Sequence, residues 1–139
     1  MATVIRPEIS LKNKYWISKH RHYELKHFCL QYPTWKKMYG DIVEFGSSVT
    51  SLEKVSGGDF HSDITAKCAI EKAYYSKKIK LIEKIAKETD PDLWQYILLA
   101  VTEGYSYTYL QTKLNMPCSR DMYYDRYRKF FWLLSKARD

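Results

Sequence analysis

The 139-residue chain is poor in glycine (five), proline (four) and cysteine (three). So few chain breakers exclude long irregular or low-complexity structure outside one stretch. Cys29, Cys68 and Cys118 are odd in number and far apart, without the paired spacing of a zinc site or a disulfide framework. They are expected to be reduced, buried thiols. His20, His22 and His27 cluster near Cys29, but no second Cys/His pair follows, so they read as a basic helix start and no metal is expected. The longest nearly uncharged apolar run, Leu93 to Val101, is far short of the roughly 20 residues a membrane span needs. Residues 1–14 lack the apolar core of a signal peptide, so a soluble, cytoplasmic protein is expected. The chain has no Gly-rich phosphate loop, HExxH, GxSxG or CxxC. Glu71, Glu83, Asp121 and Asp125 are explained by helix capping or by pairing one turn apart with Lys or Arg. A nuclease would need acids grouped around a metal. The expectation is a protein that is not an enzyme and carries no cofactor.

What the chain does have is apolar and basic. Hydrophobic residues make up 45%, enough for a globular core and too many for a disordered chain. Thirteen tyrosines dominate the aromatics; each combines apolar area with a polar tip, suited to a small core with wet edges or to a contact surface. Net charge is +7, which favours a polyanionic partner or a membrane surface. The excess is uneven. Residues 1–61 hold nine Lys/Arg against six Asp/Glu, residues 62–103 seven against seven, and residues 104–139 seven against three. The last quarter is the most positive per residue.

The hydrophobic pattern is helical. Residues 1–14 mix charges with Pro7 and read as a loose lead-in. Tyr23, Leu25, Phe28, Cys29 and Tyr32 fall near helical spacing. Pro33 suits the start of a new helix, which Gly40 is expected to end. Residues 46–61, with three Gly and four Ser, are the best loop candidate. A long helix is then expected from Ser62 or Asp63 to about Thr89. Its stripe of Ile64, Cys68, Tyr75, Ile79, Ile82 and Ala86 is close to a heptad repeat, which suits either packing within the domain or a homodimer seam. Asp90-Pro91 reads as an N-cap with a first-turn proline, and Gly104 as a C-terminal stop. The division expected is an N-terminal helical segment over 1–45, a linker over 46–61, and a helical domain over 62–139.

Beyond Gly104 the order of residues is that of a helix-turn-helix, at about 106–137. Ser106 or Thr108 caps a short helix carrying Leu110 and Leu114. Asn115-Met116-Pro117 breaks it. Ser119 caps the last helix, with Asp121 in its first turn. Met122, Tyr123, Tyr127, Phe130, Phe131 and Leu134 are expected to be buried. In this motif the second helix enters the major groove of duplex DNA with its N-terminal residues at the base edges. Arg120 and Tyr124 are the candidates for contact inside the groove. Lys113, Arg126, Arg128 and Lys129 are the candidates for backbone phosphates, with Ser119 as a hydrogen-bonding hydroxyl. The plain alternative is a basic amphipathic helix whose charges are only solvated.

The run from Trp94 to Leu134, with Tyr124, Tyr127, Arg128, Phe131 and Leu134 along the terminal helix, resembles the C-terminal module of phage-encoded regulators related to sigma-factor region four. The ArpU and RinA late-gene activators belong to that group. Residues 15–37, YWISKHRHYELKHFCLQYPTWKK, resemble the openings of such phage proteins. The resemblance implies an all-α transcriptional regulator in a bacterial host cell, with double-stranded DNA and RNA polymerase as partners. Two other readings stay open. One is a phage-type module that binds or inhibits a host protein through its aromatic surface. The other is a small-terminase-like packaging protein, which also uses a helix-turn-helix but assembles into a ring.

Overall fold

The computed structural model describes residues 12–53 and 59–138. The lead-in expected over 1–14 lies mostly outside them. Every described element is a helix: α1 (Lys19–Leu30), α2 (Tyr32–Glu53), α3 (Asp59–Thr89), α4 (Trp94–Glu103), α5 (Tyr107–Leu114) and α6 (Arg120–Ala137). The protein is all-α. Among the described residues no helix is long and apolar enough to cross a membrane.

The helices sort into two units. One joins Met1–Gln31 to Ile82–Asp139, and the other is Tyr32–Leu81. This corrects the expected division at a 46–61 linker. Helix α1 belongs with the C-terminal helices, because its apolar face (Leu25, Phe28, Cys29) is buried and it packs on α4 and α6. Helix α3 is shared in sequence, giving its residues up to Leu81 to one unit and from Ile82 to the other.

In the first unit, Ile82, Ile85 and Ala86 of α3, Ile97 and Val101 of α4, and Leu110 of α5 are buried. From α6, Tyr123, Phe130, Phe131 and Leu134 are buried at spacings of three, four and seven, the stripe that one face of a helix presents. Met122 departs from expectation and is exposed. It lies about 100° from Tyr123 round the helix, away from that stripe. Leu114 is only half-buried, as are Cys68 and Cys118, whereas Cys29 is fully buried.

Three local departures share a cause. Gly40 does not end a helix, the expected loop is helical over 46–53 and 59–61, and α3 starts at Asp59, ahead of Ser62 and Asp63. Residues 54–58 lie outside the described residues. A helical glycine costs only about 1 kcal/mol relative to alanine, and neither Gly40 nor Gly46 has a positive φ. Beyond Gly40 the α2 residues Ile42 and Phe45 line a common groove with Ile64, Cys68 and Tyr75 of α3. Helix α2 is anchored earlier, where Trp35 is buried and Lys78 and Lys72 of α3 lie over the Trp35 and Tyr39 rings, and a cost of this size does not stop a helix already propagating. The stripe proposed as a subunit seam is half consumed internally, since Ile79, Ile82 and Ala86 are buried within the chain.

Asp90 acts as a cap, one step removed from where it was expected. Its Oδ1 accepts from the Asp92 and Leu93 N–H groups at 2.8 and 3.1 Å. This closes a turn over 91–93, and α4 begins only at Trp94. Gly104 ends α4 with φ +76°, a left-handed conformation that glycine adopts without strain.

Candidate nucleic-acid interface

Short-range chemistry sets the connection between α5 and α6. The Ser106 side chain caps α5 by accepting from the Tyr109 N–H at 3.2 Å. Asn115 closes α5 at φ +56°, ψ +40°, a conformation asparagine tolerates better than most residues. The Met116 N–H reaches back to the Leu110 carbonyl at 3.1 Å, and the Cys118 N–H bonds to the Met116 carbonyl at 3.1 Å. Met116 is buried and anchors the connection from below. The Tyr107 hydroxyl donates to the Cys118 carbonyl at 3.0 Å, tying the first residue of α5 to the residue before the α6 cap. Ser119 caps α6, its Oγ accepting from the Met122 N–H at 3.2 Å. Asp121 sits in the first turn, where a carboxylate favours the helix dipole.

The candidate contact residues separate by position. Arg120, Tyr124 and Arg128 are four apart and share one flank of α6. Arg120 is exposed and Tyr124 and Arg128 are half-buried. The Arg120 guanidinium lies over the Tyr107 ring, 4.9 Å from its centre. Lys129 is about 100° round the helix from Arg128 and half-buried. Lys113, at the end of α5, and Ser119 are exposed.

Arg126 does not belong to this set. Its Nε is 3.0 Å from Asp90 Oδ2, and its Nη1 bonds to Asp125. The pair ties the turn before α4 to the middle of α6. Burial pushes the Asp90 carboxyl up, but the bonds it accepts from the Asp92 N–H, from Arg126 and from the Leu93 N–H outweigh burial and hold it below the usual carboxylate range. The hydrogen bond to Asp90 is in turn the main cause that raises Arg126. The guanidinium assigned to phosphate is thus committed to holding the helices together, and Asp125 pairs with its neighbour Arg126, not with a residue one turn away.

The far end of α6 is held by α1. Arg21 donates from Nε to Ser135 Oγ and from Nη2 to the Ser135 carbonyl, both at 3.0 Å, and also bonds to the Arg138 carbonyl. A guanidinium at a helix C-terminus satisfies carbonyls that lack intrahelical partners and opposes the negative end of the dipole. Beside it, the buried His22 meets the Phe131 ring at 4.8 Å and the Tyr127 ring at 6.3 Å. Sequence reasoning missed Arg21. No short-range signal marks a partner more than a hundred residues away.

The region therefore offers a rigidly connected pair of helices, a capped and exposed N-terminal end on α6, and a flank carrying Arg120, Tyr124 and Arg128. Among the described residues no three His, Cys, Asp or Glu are grouped to hold a metal. No protein-family model, curated protein or solved structure matches this chain.

Proposed function

We propose that this protein is a DNA-binding transcriptional regulator that reads duplex DNA with α6, the second helix of a helix-turn-helix formed by α5 and α6. The observation that carries the reading is the exposed, Ser119-capped start of α6, braced by the Tyr107–Cys118 hydrogen bond and bearing Arg120. Arg120 and Tyr124 contact base edges, since arginine matches the two acceptors of guanine. Lys113, Ser119, Arg128 and Lys129 contact phosphates. Arg126 supports the helix from behind. The setting is the cytoplasm of a bacterial host. RNA polymerase is the protein partner, as for the phage regulators that the C-terminal residues resemble.

The test is binding to random-sequence duplex DNA at two salt concentrations, by the native chain and by an Arg120→Ala, Arg128→Ala double variant. The native chain is expected to bind at low salt and to weaken steeply as salt rises. The double variant should lower the slope of log affinity against log salt by about 1, the share of the phosphate cation Arg128, and weaken binding further through the lost base contact of Arg120. No binding at low salt, or a double variant that binds like the native chain, overturns the reading.

A second observation bears on assembly. The groove of about 740 Å³ between α2 and α3 carries exposed Phe45, Ile70 and Tyr74, with Ile70 72% exposed. Asp41, Lys67 and Glu71 are exposed on its lining. We infer that a second copy fills it. A two-fold contact sets one copy's Asp41 against the other's Lys67 while burying the apolar floor. Sedimentation equilibrium is expected to give a dimer, converted to monomer by Ile70→Asp. A native monomer removes this inference, and a larger ring favours the packaging reading.

A further inference from the structure

In the first unit, α1, α4, the start of α5 and α6 enclose a cavity of about 140 Å³. Six tyrosines line it, among them Tyr105, Tyr123, Tyr124 and Tyr127, and its lining includes no carboxylate. Lys26 also lines it, half-buried and in no ion pair among the described residues. Tyr123 is 2% exposed, and Tyr107 on the same lining donates its hydroxyl to the Cys118 carbonyl.

We propose that this cavity is a binding site for a small aromatic carboxylate carrying one ring. Three features select that class. Size admits a single ring, since a cavity of roughly 150 Å³ holds one benzene-sized molecule. Tyrosine walls offer ring edges and faces for offset and edge-on stacking. The charge is one-sided: Lys26 supplies an ammonium, and the Tyr123 hydroxyl supplies a donor to a carboxylate oxygen. Burial pushes the Tyr123 and Tyr127 phenols upward, so both stay protonated and remain donors at neutral pH. The site does not depend on DNA binding, and its test is independent of that reading.

The experiment titrates benzoate into the full chain by calorimetry at pH 7, with two probes that each keep half of its chemistry: benzyl alcohol retains the ring and acetate the charge. Benzoate is expected to bind with a dissociation constant of about 1 mM or tighter. Each half-probe should bind at least about tenfold more weakly. Lys26→Met should weaken benzoate about tenfold, the usual worth of a hydrogen-bonded charge. Tyr123→Phe keeps the ring and removes the hydroxyl, and should weaken it about threefold to tenfold. Circular dichroism and the melting temperature of each variant show whether the fold is kept. Absence of saturable benzoate binding overturns the proposal. So does unchanged affinity in a folded Lys26→Met variant. Acetate binding as well as benzoate marks a simple anion site and overturns the aromatic assignment.

Discussion

Among single residues, Asp90 does the most with the fewest atoms. It caps the turn before α4 with one oxygen and holds Arg126 with the other. Asp90→Ala should lower stability by about 1–3 kcal/mol, from a lost cap and a guanidinium left without its partner, as read by urea denaturation. The pH dependence has a definite sign. The folded-state pKa of Asp90 lies below its ordinary value, so the stabilisation is complete above about pH 4 and is lost as pH falls through the lower, folded value. An acid titration of stability should be steeper below pH 4 in the native chain than in Asp90→Ala. Equal slopes would show that Asp90 contributes nothing. Gly104 makes a second case. A Cβ there meets no atom within 4 Å, but the positive φ opposes it, so Gly104→Ala should cost about 1 kcal/mol through conformation alone.

At the scale of elements, the same substitution changes sign with its place. Gly40 and Gly46 lie inside α2 with open space around a built Cβ and no positive φ. Gly40→Ala and Gly46→Ala should each stabilise the chain by roughly 0.5–1 kcal/mol, giving raised melting temperatures where Gly104→Ala gives a lowered one. A fall in melting temperature for both would contradict a continuous α2. Arg21→Ala, which strips the clamp from the last turn of α6, should cost about 1–2 kcal/mol and loosen amide exchange selectively in that turn.

These contrasts also mark how far the sequence could be read. Ser106, Asn115, Ser119 and Gly104 act on backbone groups within five residues, so each was legible from its own neighbourhood. The all-α class followed from the apolar spacing. Residues 46–61 misled because glycine and serine are usual in loops, while each costs a helix only about 1 kcal/mol or less, too little to stop one already propagating. Arg126 carried the same charge signal as Arg128. Only the chain path that brings Asp90 beside it separates the two, and no pattern in either segment encodes that path.

For the molecule as a whole, the first unit is discontinuous in sequence. Its α1 face of Leu25, Phe28 and Cys29 is buried with helices that begin beyond residue 81. A fragment starting at residue 82 would expose the α4 and α6 surfaces on which α1 packs. It is expected to unfold without a cooperative transition in calorimetry, and a peptide of residues 12–31 added in trans should restore one. A sharp transition in the fragment alone would show that α1 is dispensable.

The Arg21 clamp has a consequence for how the protein is made. Arg21 and Ser135 are 114 residues apart, and a ribosome delivers the chain from its N-terminus. The groups that receive the guanidinium do not exist until nearly all of the residues described here have been synthesised, whereas Tyr32–Leu81 can pair its two helices through nearby contacts much sooner. A ribosome stalled before residue 135 would therefore display α1 without its lock, and a protease that spares the finished protein should cut the nascent chain there.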